Sequence, residues 1–171
     1  MYESTIIDKT QAEDLIKLCE FPAEQKFMLL HRVTDDGFDD FHKRCDGIKN
    51  TLTIIKTSKN YIFGGYTGAP WNCNNGYIED TNSFIFSLKN CEDTPFKANC
   101  TDNETSIYGG SEFGPSFGTK DIQLVKCFPD CLNGTSSMGV SYENPLSKSK
   151  SILAGSKSFR TTEIEVYKLL E

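Results

Sequence analysis

The sequence predicts an α+β domain: a two-layer antiparallel β-sandwich flanked by short helices. Three observations lead there. About eight or nine short β-branched or aromatic runs recur between turn-forming stretches. Helical periodicity is confined to the first part of the chain, so strand–helix–strand alternation, and with it a parallel sheet, is missing. The stretch TLTIIKTSKNYIFGGYTGAPW, residues 51–71, reads as a hairpin that is apolar on both faces and therefore needs cover on both sides.

The elements follow in order. Thr10-Gln11-Ala12-Glu13 reads as a capping box. Ala12, Leu15, Ile16 and Cys19 then fall on one stripe until Phe21-Pro22 stops it, giving a helical N-terminal segment over about residues 1–20. Residues 27–33 read as a strand. Asp35-Asp36-Gly37 turns the chain into a second short helix over 38–45, with Phe38, Phe41 and Cys45 on one side. Asp39 and Asp40 stand in its first turn and Lys43-Arg44 in its last, where the helix dipole favours each charge.

In the central hairpin, Leu52 and Ile54 face one way and Ile55 the other; on the return, Ile62 and Tyr66 oppose Tyr61 and Phe63. Gly64-Gly65 interrupts the second strand, which marks a bulge or the close approach of another group, and packing is favoured over ligand contact. Trp71, the only tryptophan, is expected to cap the core edge. Residues 72–82 read as a polar surface loop, 83–88 (SFIFSL) as a strand, and Phe96 and 106–108 as short strands. The glycine-rich stretch 109–119 reads as a loop. It lacks a Walker lysine or a GxGxxG after a strand, so phosphate binding has little support. Residues 121–125 form a strand, 127–137 a cysteine-bearing loop, and 162–170 a half-buried strand with Ile164 and Val166 inward and Glu163, Glu165 and Tyr167 outward.

At 171 residues the chain is read as one domain, 1–171, long enough to bury roughly 70% of its unfolded surface. The net charge is −6, from 18 basic and 24 acidic residues, with no basic cluster longer than Lys43-Arg44. That excludes a phosphate-tracking surface and, with it, nucleic acid as a partner. No apolar window approaches a membrane span and the N-terminus lacks a signal pattern, so a cytoplasmic protein is expected. Seven cysteines, an odd number without a CxxC pair, fit reduced thiols, and Cys127-x-x-x-Cys131 lacks a second ligand pair for zinc. The sequons at Asn99, Asn103 and Asn133 would then be silent. His42 is expected to be a hydrogen-bonded packing residue, because only His31 exists to build a site with it.

The motifs also carry a resemblance. Asp36-Gly37-Phe38 with Phe41-His42 and Cys45-Asp46, Thr51-Leu52-Thr53-Ile54-Ile55-Lys56, and Phe63-Gly64-Gly65-Tyr66-Thr67 with Pro70-Trp71 come first. Phe84-Ile85-Phe86-Ser87-Leu88, Gly114-Pro115-Ser116-Phe117-Gly118 with Asp121-Ile122, and Leu153-Ala154-Gly155-Ser156 with Glu163-Ile164-Glu165-Val166 complete the set. In this order, from about Ser4 to the end, they resemble the TLDc domain shared by the oxidation-resistance proteins. His31-Arg32 and the stretch Gly118-Thr119-Lys120-Asp121 depart from the common pattern. The resemblance implies a β-sandwich with flanking helices and a role in protection from oxidative stress. It further implies, for several members, binding to the cytosolic sector of the vacuolar proton-pumping ATPase with an influence on its assembly, and no accepted catalytic site.

The expected function is accordingly a non-catalytic, monomeric interaction module without cofactor or metal. Its candidate partner surface comprises Gly64, Gly65, Trp71, Gly118 and Asp121 with the acids Glu163 and Glu165. The alternative is an enzyme, either a thiol-based peroxide scavenger using Cys127 and Cys131 or a small hydrolase. A carbohydrate-binding sandwich using Tyr77, Trp71 and the loop 72–75 ranks third.

Overall fold

A computed structural model describes residues 3–127, 131–146 and 149–171, the side chains of 127, 131 and 132 aside. The chain opens with helix α1, Lys9–Leu18. Its cap is Asp8, two residues earlier than the Thr10 box predicts. The Gln11 amide donates to the Asp8 carboxylate at 2.9 Å, and the Asp8 amide donates to the Gln11 side chain at 3.1 Å. Both positions satisfy the pattern, and aspartate is the stronger cap. Strand β1 (Lys26–Arg32) follows. A single turn, α2 (Val33–Asp36), then ends at Gly37 with φ 80°, a left-handed backbone that breaks the helix before α3 (Asp40–Cys45) starts. The second helix is thus shorter than the predicted 38–45 and preceded by a separate turn.

The remaining strands are β2 (Thr51–Thr57), β3 (Ile62–Thr67), β4 (Gly76–Ile78), β5 (Phe84–Lys89), β6 (Phe96–Asn99), β7 (Ile107–Gly109) and β8 (Ser116–Phe117). After these come β9 (Gln123–Cys127), β10 (Cys131–Thr135) and β11 (Ser158–Leu170). Three of them, β4, β8 and β10, lie where the sequence reads as loop. They are two to five residues long and rich in small residues, too short for a period-2 signal, and each exists because a partner strand supplies its hydrogen bonds. In β10 the lack of a side chain at Gly134 is required, since a Cβ would stand 2.2 Å from the Phe159 ring.

Every named strand pairs antiparallel, as the predicted sandwich requires. The large sheet runs β6-β5-β3-β2-β11-β10-β9 with β1 also on β11, and the second sheet runs β4-β7-β8. The long strand β11 organises the first. One edge pairs with β2, while the other pairs with β10 at its start and β1 at its end.

The hairpin does need cover on both faces. Leu52, Ile54 and Ile62 pack with Ile7, Leu15 and Cys19 beneath α1. Ile55 and Phe63, on the opposite face, join the larger core with Phe41, Trp71, Ile107 and Phe117. Fully burying side chains of this kind stabilises by about 1.5–3 kcal/mol each. The irregularity in β3 falls between Ile62 and Phe63 rather than at the glycine pair. Gly64 and Gly65 instead permit close approach: a Cβ on Gly65 would stand 2.6 Å from the Phe117 ring, which carries the second sheet onto the first. Among the described residues no helix is long and apolar enough to cross a membrane.

Candidate functional site

All seven residues assigned to a partner surface are buried. Gly64 and Gly65 are spacers in the sheet. Trp71 is 1% exposed, its indole N–H donates to Thr51 Oγ1 at 2.8 Å, and its ring meets Phe41 and Phe117 edge-on. That removes it from any sugar-stacking surface.

Asp121 is wholly buried in a ring of backbone donors. The amides of Gly139, Val140, Ser141 and Tyr142 donate to its carboxylate at 3.1, 3.1, 2.8 and 3.4 Å. Burial lifts this carboxyl above its ordinary range against the pull of those amides. Gly118, at φ 69°, is the residue that leaves room: a Cβ there would stand 2.3 Å from Asp121 Oδ2. The pair folds the chain around 139–142.

Glu163 and Glu165 correct the outward reading of the last strand. Period 2 does place them opposite Ile164 and Val166, but their own face is covered as well. Glu165, with no exposed surface, accepts from Ser4 Oγ at 2.6 Å, the Thr5 amide at 2.8 Å, Arg32 Nε at 3.0 Å and the Tyr167 hydroxyl at 2.9 Å. Glu163 accepts from the amide and hydroxyl of Thr34 and so holds α2 against β11. These acids tie the N-terminal segment and α2 to the sheet.

Catalytic groupings fare similarly. His42 bridges elements: its Nδ1 lies 2.8 Å from Asp46, and its Nε2 lies 2.9 and 3.0 Å from the carbonyl oxygens of Gly110 and Phe113. Burial pushes the Cys19 and Cys45 thiols up to about 12, which keeps them protonated at neutral pH and unsuited to nucleophilic attack. The candidate pair Cys127 and Cys131 faces across β9 and β10 by backbone register, while its side chains lie outside the described residues. Among the described residues no group of three or more His, Cys, Asp or Glu side chains is placed to hold a metal ion.

The outer surface of the described residues offers a groove and an aromatic strip, among other features. A groove of about 690 Å³ runs between α1 and the start of β1, with Ile7, Ile16, Phe27 and Leu170 in its lining and Asp8 and Lys26 of opposite charge beside them. On the second sheet, Tyr77, Tyr108 and Phe113 form a chain of edge-to-face rings at centroid distances of 5.1 and 5.0 Å. Only Tyr77 of these was singled out from the sequence. The other two are separated from it by about thirty residues and join it because β4 pairs with β7.

The family model of the TLDc domain matches residues 1–170. The chain belongs to the TLDc family. No protein in the curated set matches it. TLDc membership links the chain to a family associated with resistance to oxidative stress. In this TLDc domain the seven candidate residues, all from the motifs that carry the family resemblance, are spent on the scaffold.

His31 is expected to give the domain a pH response. It is 1% exposed, neither ring nitrogen makes a hydrogen bond among the described residues, and Nδ1 lies 3.4 Å from Asp36 Oδ2. Burial lowers its pKa below the ordinary 6.5, with Asp36 and Asp40 opposing and Arg44 assisting. On acidification the unfolded chain takes up the proton first. Stability is therefore full above about pH 6.5 and falls, by up to about 1.4 kcal/mol per pH unit, as pH drops towards the folded value. Urea unfolding of wild type and His31→Phe between pH 7.5 and 5 is expected to show this decline in the wild type and a flatter curve in the variant. Equal slopes would contradict it.

Proposed function

We propose that the protein is a non-catalytic interaction module of the cytoplasm that binds a protein partner, by family resemblance the cytosolic sector of the vacuolar proton-pumping ATPase. The observation that carries the reading is the commitment of the motif residues. Gly64, Gly65, Trp71, Gly118, Asp121, Glu163 and Glu165 all serve packing or hydrogen bonding inside the fold. A rigid sandwich built this way presents its loops and short strands outward, where binding residues usually lie. The test is affinity capture from cytosolic and vacuolar-membrane extracts on immobilised wild-type protein with crosslinking. Recovery of cytosolic pump subunits is expected, and their absence from the eluate would overturn the assignment.

A thiol-based activity is the competing reading, favoured by the direct opposition of Cys127 and Cys131 across their hairpin. Peroxide consumption by purified protein with a dithiol reductant separates the two. An inert protein accords with a binding module; turnover that disappears in Cys127→Ser would replace it with an enzyme.

A further inference from the structure

We propose that the outer face of the second sheet, the ring chain Tyr77–Tyr108–Phe113, is a docking strip for a basic, arginine- or lysine-bearing segment of a partner protein. The proposal rests on the module reading above and assigns the surface through which it works.

The strip is built and held in place. Tyr77 and Tyr108 are directly opposed on β4 and β7, and Phe113 closes on Tyr108 from the turn 110–113, whose Phe113 amide donates to the Gly110 carbonyl at 2.9 Å. Gly110 lets the rings lie close over the backbone: a Cβ there would stand 2.4 Å from Tyr108 and 2.7 Å from Phe113. Two contacts fix the turn from outside it. His42 Nε2–H donates to the carbonyls of Gly110 and Phe113, and the Ser111 amide donates to Asn75 Oδ1 at 3.1 Å. Despite this support the strip reaches solvent, with Tyr77 48% exposed and Tyr108 and Phe113 half-buried.

Charge selects the occupant. The segments that form this sheet, 72–82 and 106–119, contain no lysine or arginine, in a chain that has 18. They do contain acids. Glu79, just past the end of β4, and Glu112, beside Phe113 in the turn, are both exposed. Aromatic rings attract cations through the negative potential of their faces, and carboxylates at the margin add to that field. A guanidinium or ammonium group meets both terms here, whereas an acidic segment meets repulsion from Glu79, Glu112 and a net charge of −6.

The test is chemical-shift mapping of aromatic ring signals during titration with a capped Gly-Arg-Gly-Arg-Gly peptide. The Gly-Gln-Gly-Gln-Gly peptide and maltohexaose serve as uncharged probes. The rings of Tyr77, Tyr108 and Phe113 are expected to shift with the arginine peptide and not with the other two. Tyr77→Phe should retain binding, and Tyr77→Leu should weaken it by about threefold to tenfold, with thermal melting confirming that both variants fold. Shifts spread over other acidic surfaces, unchanged affinity in Tyr77→Leu, or an equal response to maltohexaose would each overturn the proposal. Pump capture by wild type and Tyr77→Leu alike would reject the strip while leaving the module reading intact. Failure of the wild type to capture the pump, with the peptide still bound at the strip, would reject the pump and leave the strip.

Discussion

Gly64→Ala is expected to be among the most damaging single substitutions in the chain, costing about 4 kcal/mol or more. A Cβ at this position would stand 1.9 Å from the Thr53 carbonyl oxygen and 3.0 Å from the Phe86 ring. The first of these is backbone within the same sheet and cannot swing aside as a flexible side chain would. Relief requires β2 and β3 to separate, and their pairing sits between the two apolar clusters. Overpacking elsewhere usually costs 1–3 kcal/mol because side chains yield, and larger values mark sites where they cannot. Gly76→Ala is the control, since a Cβ there meets nothing within 4 Å. Urea unfolding should find the control within about 1 kcal/mol of wild type and Gly64→Ala poorly folded. A Gly64→Ala midpoint close to that of wild type would contradict the packing account.

Glu165→Ala is expected to cost about 3 kcal/mol, because it takes a shared acceptor from several buried or part-buried donors at once. The substitution would leave Arg32, whose side chain is 12% exposed, with Asp35 as its remaining ion pair and would remove the acceptor of the Ser4 and Tyr167 hydroxyls and the Thr5 amide. The loss also has a location. Ser4 and Thr5 lead into Ile6 and Ile7, which seal the cluster beneath α1, so freeing them should loosen the N-terminal segment before the sheet opens. Hydrogen exchange is the direct measurement: the Thr5 amide should lose its protection in Glu165→Ala while the amides of β2 and β3 keep theirs. A variant of wild-type stability with Thr5 still protected would show that the network is not what holds the segment.

These two sites differ in how readable they are. The hairpin was legible because its signal is local: alternating apolar residues, a polar turn at 57–60 and a paired glycine all lie within about twenty residues. Packing as the reason for the glycine pair followed from the same stretch, although the bulge itself falls at Ile62/Phe63. The buried role of Glu165 was not legible. An acid alternating with Ile164 and Val166 is the ordinary pattern of a strand with one wet face, and what dries that face comes from Ser4 and Thr5, some 160 positions earlier. Asp121 was hidden in the same way, since the amides of 139–142 give no side-chain signal.

The second sheet and the aromatic strip were the least legible. Strands of two or three residues, such as β4 and β8, show no periodicity, and the glycines and asparagines around them resemble a loop; of this sheet only β7, at 106–108, reads as a strand in the sequence. Tyr77 stands out in the sequence as an exposed ring, but nothing local sets it together with Tyr108 and Phe113.

By itself the sequence determined the two-faced hairpin, the short leading helices, the predominance of antiparallel strands and a surface too acidic to follow a phosphate backbone. Each depends on spacing within one segment or on composition, both of which survive without coordinates. Tertiary structure alone decided which acids are dry, which stretches complete a second sheet and which rings share a face. Those depend on contacts between residues far apart in the chain, where burial turns a solvated carboxylate into an anchor and partner strands supply hydrogen bonds that no local pattern records.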